Sequence, residues 1–148
     1  MQTLDLARPM VASLAVGIAQ RAINEAVKYA KERVTFGKPI IKHEVISFKL
    51  ADMDMKTEVA RSAIINFLNT YYAEPKRSYT REAAIAKCFA GDISVEVALE
   101  AVQILGGFGY SREYPVEKLV RDAKIMQIYE GTNEVQRMVI AGFVAAQK

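Results

Sequence analysis

The sequence is short of the residues that build cross-links and metal centres. Its 148 residues include one cysteine, Cys88, and one histidine, His43. A lone cysteine excludes an intrachain disulfide and fits a reducing compartment. Cys88 sits in Ala86-Lys87-Cys88-Phe89-Ala90 and reads as a buried small hydrophobe in an apolar helix. With no second histidine and no cysteine cluster, no metal site is expected. His43 reads instead as a capping or hydrogen-bonding residue at a helix start. Long apolar runs are also missing. The longest, Met10 to Ala19, is broken by Ser13 and Gly17 and reaches half of the roughly 20 residues a bilayer span needs. The opening Met1-Gln2-Thr3-Leu4-Asp5 lacks the basic start and apolar block of a signal peptide. The formal net charge is only +3, and the basic residues are dispersed, so no nucleic-acid partner is expected. No alternating strand pattern, internal repeat or low-complexity tract is visible.

Hydrophobic residues make up 51% and charged residues 25% of the chain, an ordinary globular composition for one domain. Helical periodicity dominates. Val11, Leu14, Ile18, Ala22, Val27 and Ala30 recur between Pro9 and Phe36, where Gly37 and Pro39 break the run. A second run covers Glu44 to Tyr72, and the polar stretch from Ala73 to Ser78 ends it. A third extends from Thr80 to Leu105 and stops at Gly106-Gly107-Phe108-Gly109. Pro115 fits the first position of a fourth helix reaching about Ile128, with Glu117 favourably in its first turn. Thr132 caps a fifth that continues to about Ala146. Met53, Met55, Met126 and Met138 read as core filling. The expected fold is all-α: an up-and-down four-helix-type bundle with an additional C-terminal helix.

Three segments could carry chemistry. In Gln127-Ile128-Tyr129-Glu130-Gly131-Thr132, a carboxylate lies between an aromatic residue and a Gly-Thr pair where two helices meet. Read locally, Glu130 is either a solvated helix-end glutamate or a desolvated general base. Gly131 would admit a ligand close to the backbone, and the next helix offers free N–H groups to an oxyanion. In Arg33-Val34-Thr35-Phe36-Gly37-Lys38-Pro39-Ile40, a guanidinium, a hydroxyl and a ring could hold a phosphate and a ring system; otherwise the segment simply terminates a helix. Gln103-Ile104-Leu105-Gly106-Gly107-Phe108-Gly109 lacks the preceding strand and spacing of a dinucleotide fingerprint, so its glycines read as a turn.

These segments, in this order, resemble the C-terminal helical domain of the acyl-CoA dehydrogenase flavoproteins. The resemblance covers essentially the whole chain. Its specific stretches are Glu32 to Lys38, Gln103 to Gly109, and Tyr114-Pro115-Val116-Glu117 through Gln136-Arg137. It implies FAD-dependent α,β-dehydrogenation of acyl-CoA thioesters to trans-2-enoyl-CoA, as in fatty acid beta-oxidation. Glu130 would remove the α-proton while the β-hydride passes to flavin. The thioester oxygen would be polarised by the backbone N–H of Glu130 and a flavin ribityl hydroxyl. The reduced flavin would deliver its electrons to an electron-transfer flavoprotein.

The same resemblance assigns Arg33, Thr35, Phe36, Ile40, His43, Gln103, Ile104 and Gly107 to FAD, with the Arg33 and Gln103 segments reaching it from a neighbouring subunit of a homotetramer. Thr132 and Glu134 would touch FAD within the parent subunit; some relatives carry Gln where this chain has Glu134. Tyr129 and Gly131 would contact the acyl-CoA beside the base, and Asp5 and Arg8 would lie near the CoA moiety. Isovaleryl- and long-chain-type members carry the base at the position of Ala7. Alanine cannot take a proton, so the base here is expected at Glu130, as in short- and medium-chain types. The family's N-terminal helical and middle β-barrel domains are absent from this sequence, and the isolated chain is expected to bind FAD weakly and to turn over little. An acyl-CoA oxidase-type flavoenzyme domain and a non-catalytic helical assembly module are the alternatives. A cytoplasmic location is expected if the source is prokaryotic and a mitochondrial-matrix one if it is eukaryotic.

Overall fold

A computed structural model describes residues 2–147, with side chains from residue 5 to residue 147. It is almost entirely helical: α1 (Gln2–Glu32), α2 (Glu44–Ala73), α3 (Thr80–Leu105), α4 (Gly107–Tyr110), α5 (Val116–Met126) and α6 (Asn133–Ala145). The expected all-α bundle is therefore what the chain forms. A two-residue hairpin, β1 (Val34–Thr35) and β2 (Lys38–Pro39), and a 3-10 turn over Ile40–Lys42 join α1 to α2.

Helix α3 is the hub and packs on α1, α2, α4, α5 and α6. Lys49 pairs with Glu100 and Lys56 with Glu96, so α2 and α3 run antiparallel. Helix α1 packs on α3 most extensively. The face it uses is a stripe of alanines, Ala12, Ala15, Ala19, Ala22, Ala26 and Ala30, each at most 1% exposed. These small side chains let two helix backbones approach closely, and Leu14, counted in the apolar repeat of this helix, is exposed. Met53 and Met126 are buried as expected, but Met55 and Met138 face outward. Large apolar side chains also remain exposed along α2, among them Val45, Phe48, Val59 and Leu68.

Element boundaries follow local chemistry. Helix α1 starts earlier than its periodicity suggests and contains Pro9. The proline ring removes the hydrogen bond to the carbonyl four residues back; one turn on, the Ser13 hydroxyl donates to the Pro9 carbonyl at 3.0 Å. Pro115 sits one position ahead of α5 rather than inside it. Thr132 caps α6 as expected, its side chain accepting from the Val135 N–H. The hairpin escapes sequence detection because two residues per strand carry no period. No helix among the described residues is long and apolar enough to cross a membrane.

Candidate active site

The loop between α5 and α6 carries Tyr129-Glu130-Gly131-Thr132. Both central residues are left-handed: Glu130 has φ 55° and Gly131 φ 88°. For a residue with a Cβ this conformation costs roughly 1–2 kcal/mol. The Glu130 side chain is half-buried within this chain. Among the described residues its carboxylate has no ion pair, and its backbone N–H makes no hydrogen bond. Tyr129 packs against the cluster of Val11, Ala12, Ala60 and Met126, and its hydroxyl reaches the Met126 sulfur at 3.1 Å. Burial, and then the Glu130 charge beside it, hold the Tyr129 phenol above its ordinary value.

Beneath the loop lies a polar network that the sequence did not reveal. Lys87 on α3 is fully buried and donates from Nζ to the Gly131 carbonyl at 2.9 Å and to Asn133 Oδ1 at 2.8 Å. Asn133 Nδ2 donates to the Cys88 carbonyl at 3.0 Å and to Asp92 Oδ1 at 2.8 Å. Asp92 also accepts from Gln127 Nε2 at 2.7 Å and from Arg137. On α6, Gln136 is fully buried and donates from Nε2 to the carbonyls of Glu130 (3.3 Å) and Gly131 (3.0 Å). Burial lowers the Lys87 ammonium below its ordinary value despite the neighbouring Asp92 charge. Burial acts to raise the Asp92 carboxyl, but the hydrogen bonds from Asn133, Gln127 and Arg137 outweigh it, and the carboxyl lies below its ordinary range. Cys88 is buried, as expected, and its thiol is pushed up by that burial. The signal for Lys87 was present in register: it falls three residues after Ala84 and four before Gly91 on the core face of α3. Composition alone reads a lysine as solvated.

The residues expected around a flavin fall into two groups. Arg33, Thr35, Ile40, Ile104 and Gly107 line one cleft of about 620 Å³ together with Tyr29 and Phe108. Phe36, 96% exposed, projects beside it from the hairpin, its ring edge-on to His43 at 6.1 Å. His43 does hydrogen-bond, through Nε2 to Thr35 Oγ1 at 3.1 Å, but its side chain does not cap α2. Gln103 is exposed on the outer face of α3 and does not line the cleft. Thr132 and Glu134 line a separate polar cleft of about 440 Å³ with Asp92, Lys124 and Arg137. The Glu134 carboxyl lies below its ordinary value, held first by its own backbone N–H and then by Thr132. Asp5 and Arg8 pair at 3.3 Å near the start of α1, and Thr80 Oγ1 donates to Asp5 at 2.8 Å. Asp5 and Ala7 line a third cavity of about 940 Å³ floored by Phe67, Tyr71 and Tyr79. Arg8 is buried and its Nε has no partner.

The lining of the 620 Å³ cleft could hold a phosphate-linked aromatic group. Among the described residues Arg33 makes no ion pair, and the Thr35 hydroxyl and the Phe108 ring stand at the same opening. No cluster of metal-ligating side chains occurs among the described residues.

Residues 1–145 match the family model described as acyl-CoA dehydrogenase, C-terminal domain. The chain belongs to this family. The short-chain-specific acyl-CoA dehydrogenase of Megasphaera elsdenii is 54% identical over 96% of this chain and 37% of that protein. The Caffeyl-CoA reductase-Etf complex subunit CarC of Acetobacterium woodii is 46% identical over 97% of this chain and 38% of its own length. The solved structure of Megasphaera elsdenii butyryl-CoA dehydrogenase superposes with a TM-score of 0.93 at 52% identity, covering 98% of this chain and 37% of that one. The chain thus spans a little over a third of the relatives it matches.

Proposed function

We propose that this chain is the base-bearing C-terminal domain of an FAD-dependent acyl-CoA dehydrogenase. Glu130 accepts the α-proton of an acyl-CoA thioester. The single observation that carries this reading is the α5–α6 loop. It holds one unpaired carboxylate in a strained backbone conformation, and a free N–H belongs to the same residue. Strain of this kind persists where the surroundings over-determine it, and it clusters at functional sites. The free N–H supports oxyanion stabilisation, since it can donate to the thioester oxygen as enolate charge develops. The half-exposure of Glu130 fits a site completed by further domains and by neighbouring subunits, which would exclude water.

Arg33, Thr35, Phe36, Ile40, His43, Gln103, Ile104 and Gly107 would hold FAD from one subunit, and Thr132 and Glu134 from another. FAD, when bound, takes up the β-hydride. Asp5 and Arg8 would lie along the CoA moiety, with Tyr129 and Gly131 beside the base. The exposed apolar residues of α2 support burial against further copies in an oligomer. The named association of CarC with an Etf complex supports an electron-transfer flavoprotein as the electron acceptor.

The test is Glu130→Gln in a flavin-loaded chimera that carries this chain in place of the matching segment of the Megasphaera elsdenii enzyme. Retained flavin with dehydrogenation reduced by about 10²–10⁴-fold is expected for a lost general base. Unchanged turnover would eliminate Glu130 from that role.

A further inference from the structure

We propose that Lys87 and Gln136 are positioning residues that hold the left-handed Glu130–Gly131 turn, and with it the Glu130 side chain, from beneath. The inference rests on the reading of Glu130 as the base. It assigns a task to two fully buried side chains that lie outside the residues assigned to substrate and flavin.

Two elements grip the same turn. Lys87 comes from α3 and reaches the Gly131 carbonyl; Gln136 comes from α6 and reaches the carbonyls of both Glu130 and Gly131. The two backbone oxygens flanking the Glu130–Gly131 junction are therefore fixed by three hydrogen bonds. Fixing both carbonyls fixes the peptide planes on either side of Gly131, the first of which is the plane that follows the strained Glu130. The orientation of the Gln136 amide follows from these targets. Its Oε1 is buried without a partner, and reversing the amide would set oxygen against two carbonyl oxygens.

Burying an ammonium is costly, and a plain helix-to-helix tie would not need one. Here the charge is compensated through a relay: Asn133 accepts from Lys87 and donates to Asp92. The surrounding glycines make the fit possible. A Cβ on Gly131 would lie 2.6 Å from Gln136 Nε2, and one on Gly91 would lie 3.0 Å from the Met126 carbonyl and 3.1 Å from Asn133 Nδ2. The chain thus omits side chains where the clamp passes and spends a buried charge on one backbone oxygen of the base loop.

The test uses the flavin-loaded chimera with Lys87→Met, Gln136→Leu and, as control, Glu130→Gln. The readout is exchange of the α-hydrogens of butyryl-CoA with deuterated water without an electron acceptor, followed by mass spectrometry, together with kcat and KM. A misplaced base is expected to slow α-exchange and kcat on the order of 10- to 100-fold, with flavin content and KM little changed. A purely structural tie would move flavin content and thermal stability instead. In the 148-residue chain itself, Lys87→Met is expected to shift the backbone amide resonances of residues 127–133 and speed their hydrogen exchange. Wild-type α-exchange in Lys87→Met alongside lost exchange in Glu130→Gln overturns the clamp and leaves the base standing. Retained α-exchange in Glu130→Gln overturns the base, and the clamp's catalytic role with it. Should Lys87→Met fail to fold, Gln136→Leu decides on the same terms.

Discussion

The chain contains the same backbone device twice, supported in opposite ways. Phe36-Gly37 and Glu130-Gly131 are each a left-handed residue with a side chain followed by a left-handed glycine, with φ values of 50° and 77° in the first pair and 55° and 88° in the second. Phe36-Gly37 is the two-residue turn of the β1–β2 hairpin, where positive φ at both positions suits the strand twist. Its support is the hairpin itself, and a Cβ at Gly37 would meet nothing within 4 Å. Glu130-Gly131 joins two helices and has no ladder. Its support is Lys87, Asn133 and Gln136, three side chains at most 2% exposed. The contrast shows that a turn can be stabilised from within its own backbone or from the core below. Only the second arrangement ties the geometry of the candidate base to buried side chains, one of them on a distant helix.

Urea unfolding of paired variants sharpens this contrast. The largest effect is expected from Asn133→Ala, which leaves the Lys87 ammonium and the Cys88 carbonyl short of partners. A loss of about 2–4 kcal/mol is expected, against less than about 1 kcal/mol for Thr35→Val, which removes only the bond to His43. Next, Gly131→Ala should cost about 2–3 kcal/mol, because strain is joined by a clash with an amide that cannot yield without losing its bonds. Gly37→Ala, with strain alone, should cost about 1 kcal/mol. Equal losses at the two glycines would break the comparison.

Acid provides a smaller effect confined to one region. The folded-state carboxyl of Asp92 lies below its ordinary value, so its contribution is complete above the unfolded value of about 4 and is lost as pH falls through the lower folded value. Asp92→Asn should therefore flatten the acid limb of stability below about pH 4, as read by circular dichroism of the unfolding transition. The smallest change is expected from Phe36→Asn. Its ring is almost wholly exposed and asparagine suits a left-handed turn, so a gain of about 0.5 kcal/mol or less is expected.

Much of the fold was legible in the sequence because its signals are local. The limits of α3 fall at Thr80 and Leu105 as read, and Thr132 caps α6, since a capping hydroxyl and a glycine stop act within a turn. Which face turns inward was less legible. The inner stripe of α1 is made of alanines chosen for close approach, and the outward Leu14, Met55 and Met138 carry apolar surface that other parts of an assembly can cover. At the candidate site, the motif residues were visible as a resemblance, and the structure gathers several of them into common clefts. Lys87 and Asp92 were not visible because their partners are distant in sequence, and Gln136, though close to its partners, is buried by the packing of α6 on α3, which no local pattern marks.

The most direct measurement is a crystal structure of the flavin-loaded chimera with a non-reactive acyl-CoA analogue. The account predicts a Glu130 carboxylate oxygen in near-attack range, about 3–3.5 Å from the thioester α-carbon, with the left-handed loop unchanged. A Glu130 side chain directed into bulk solvent, with another group against that carbon, would contradict it.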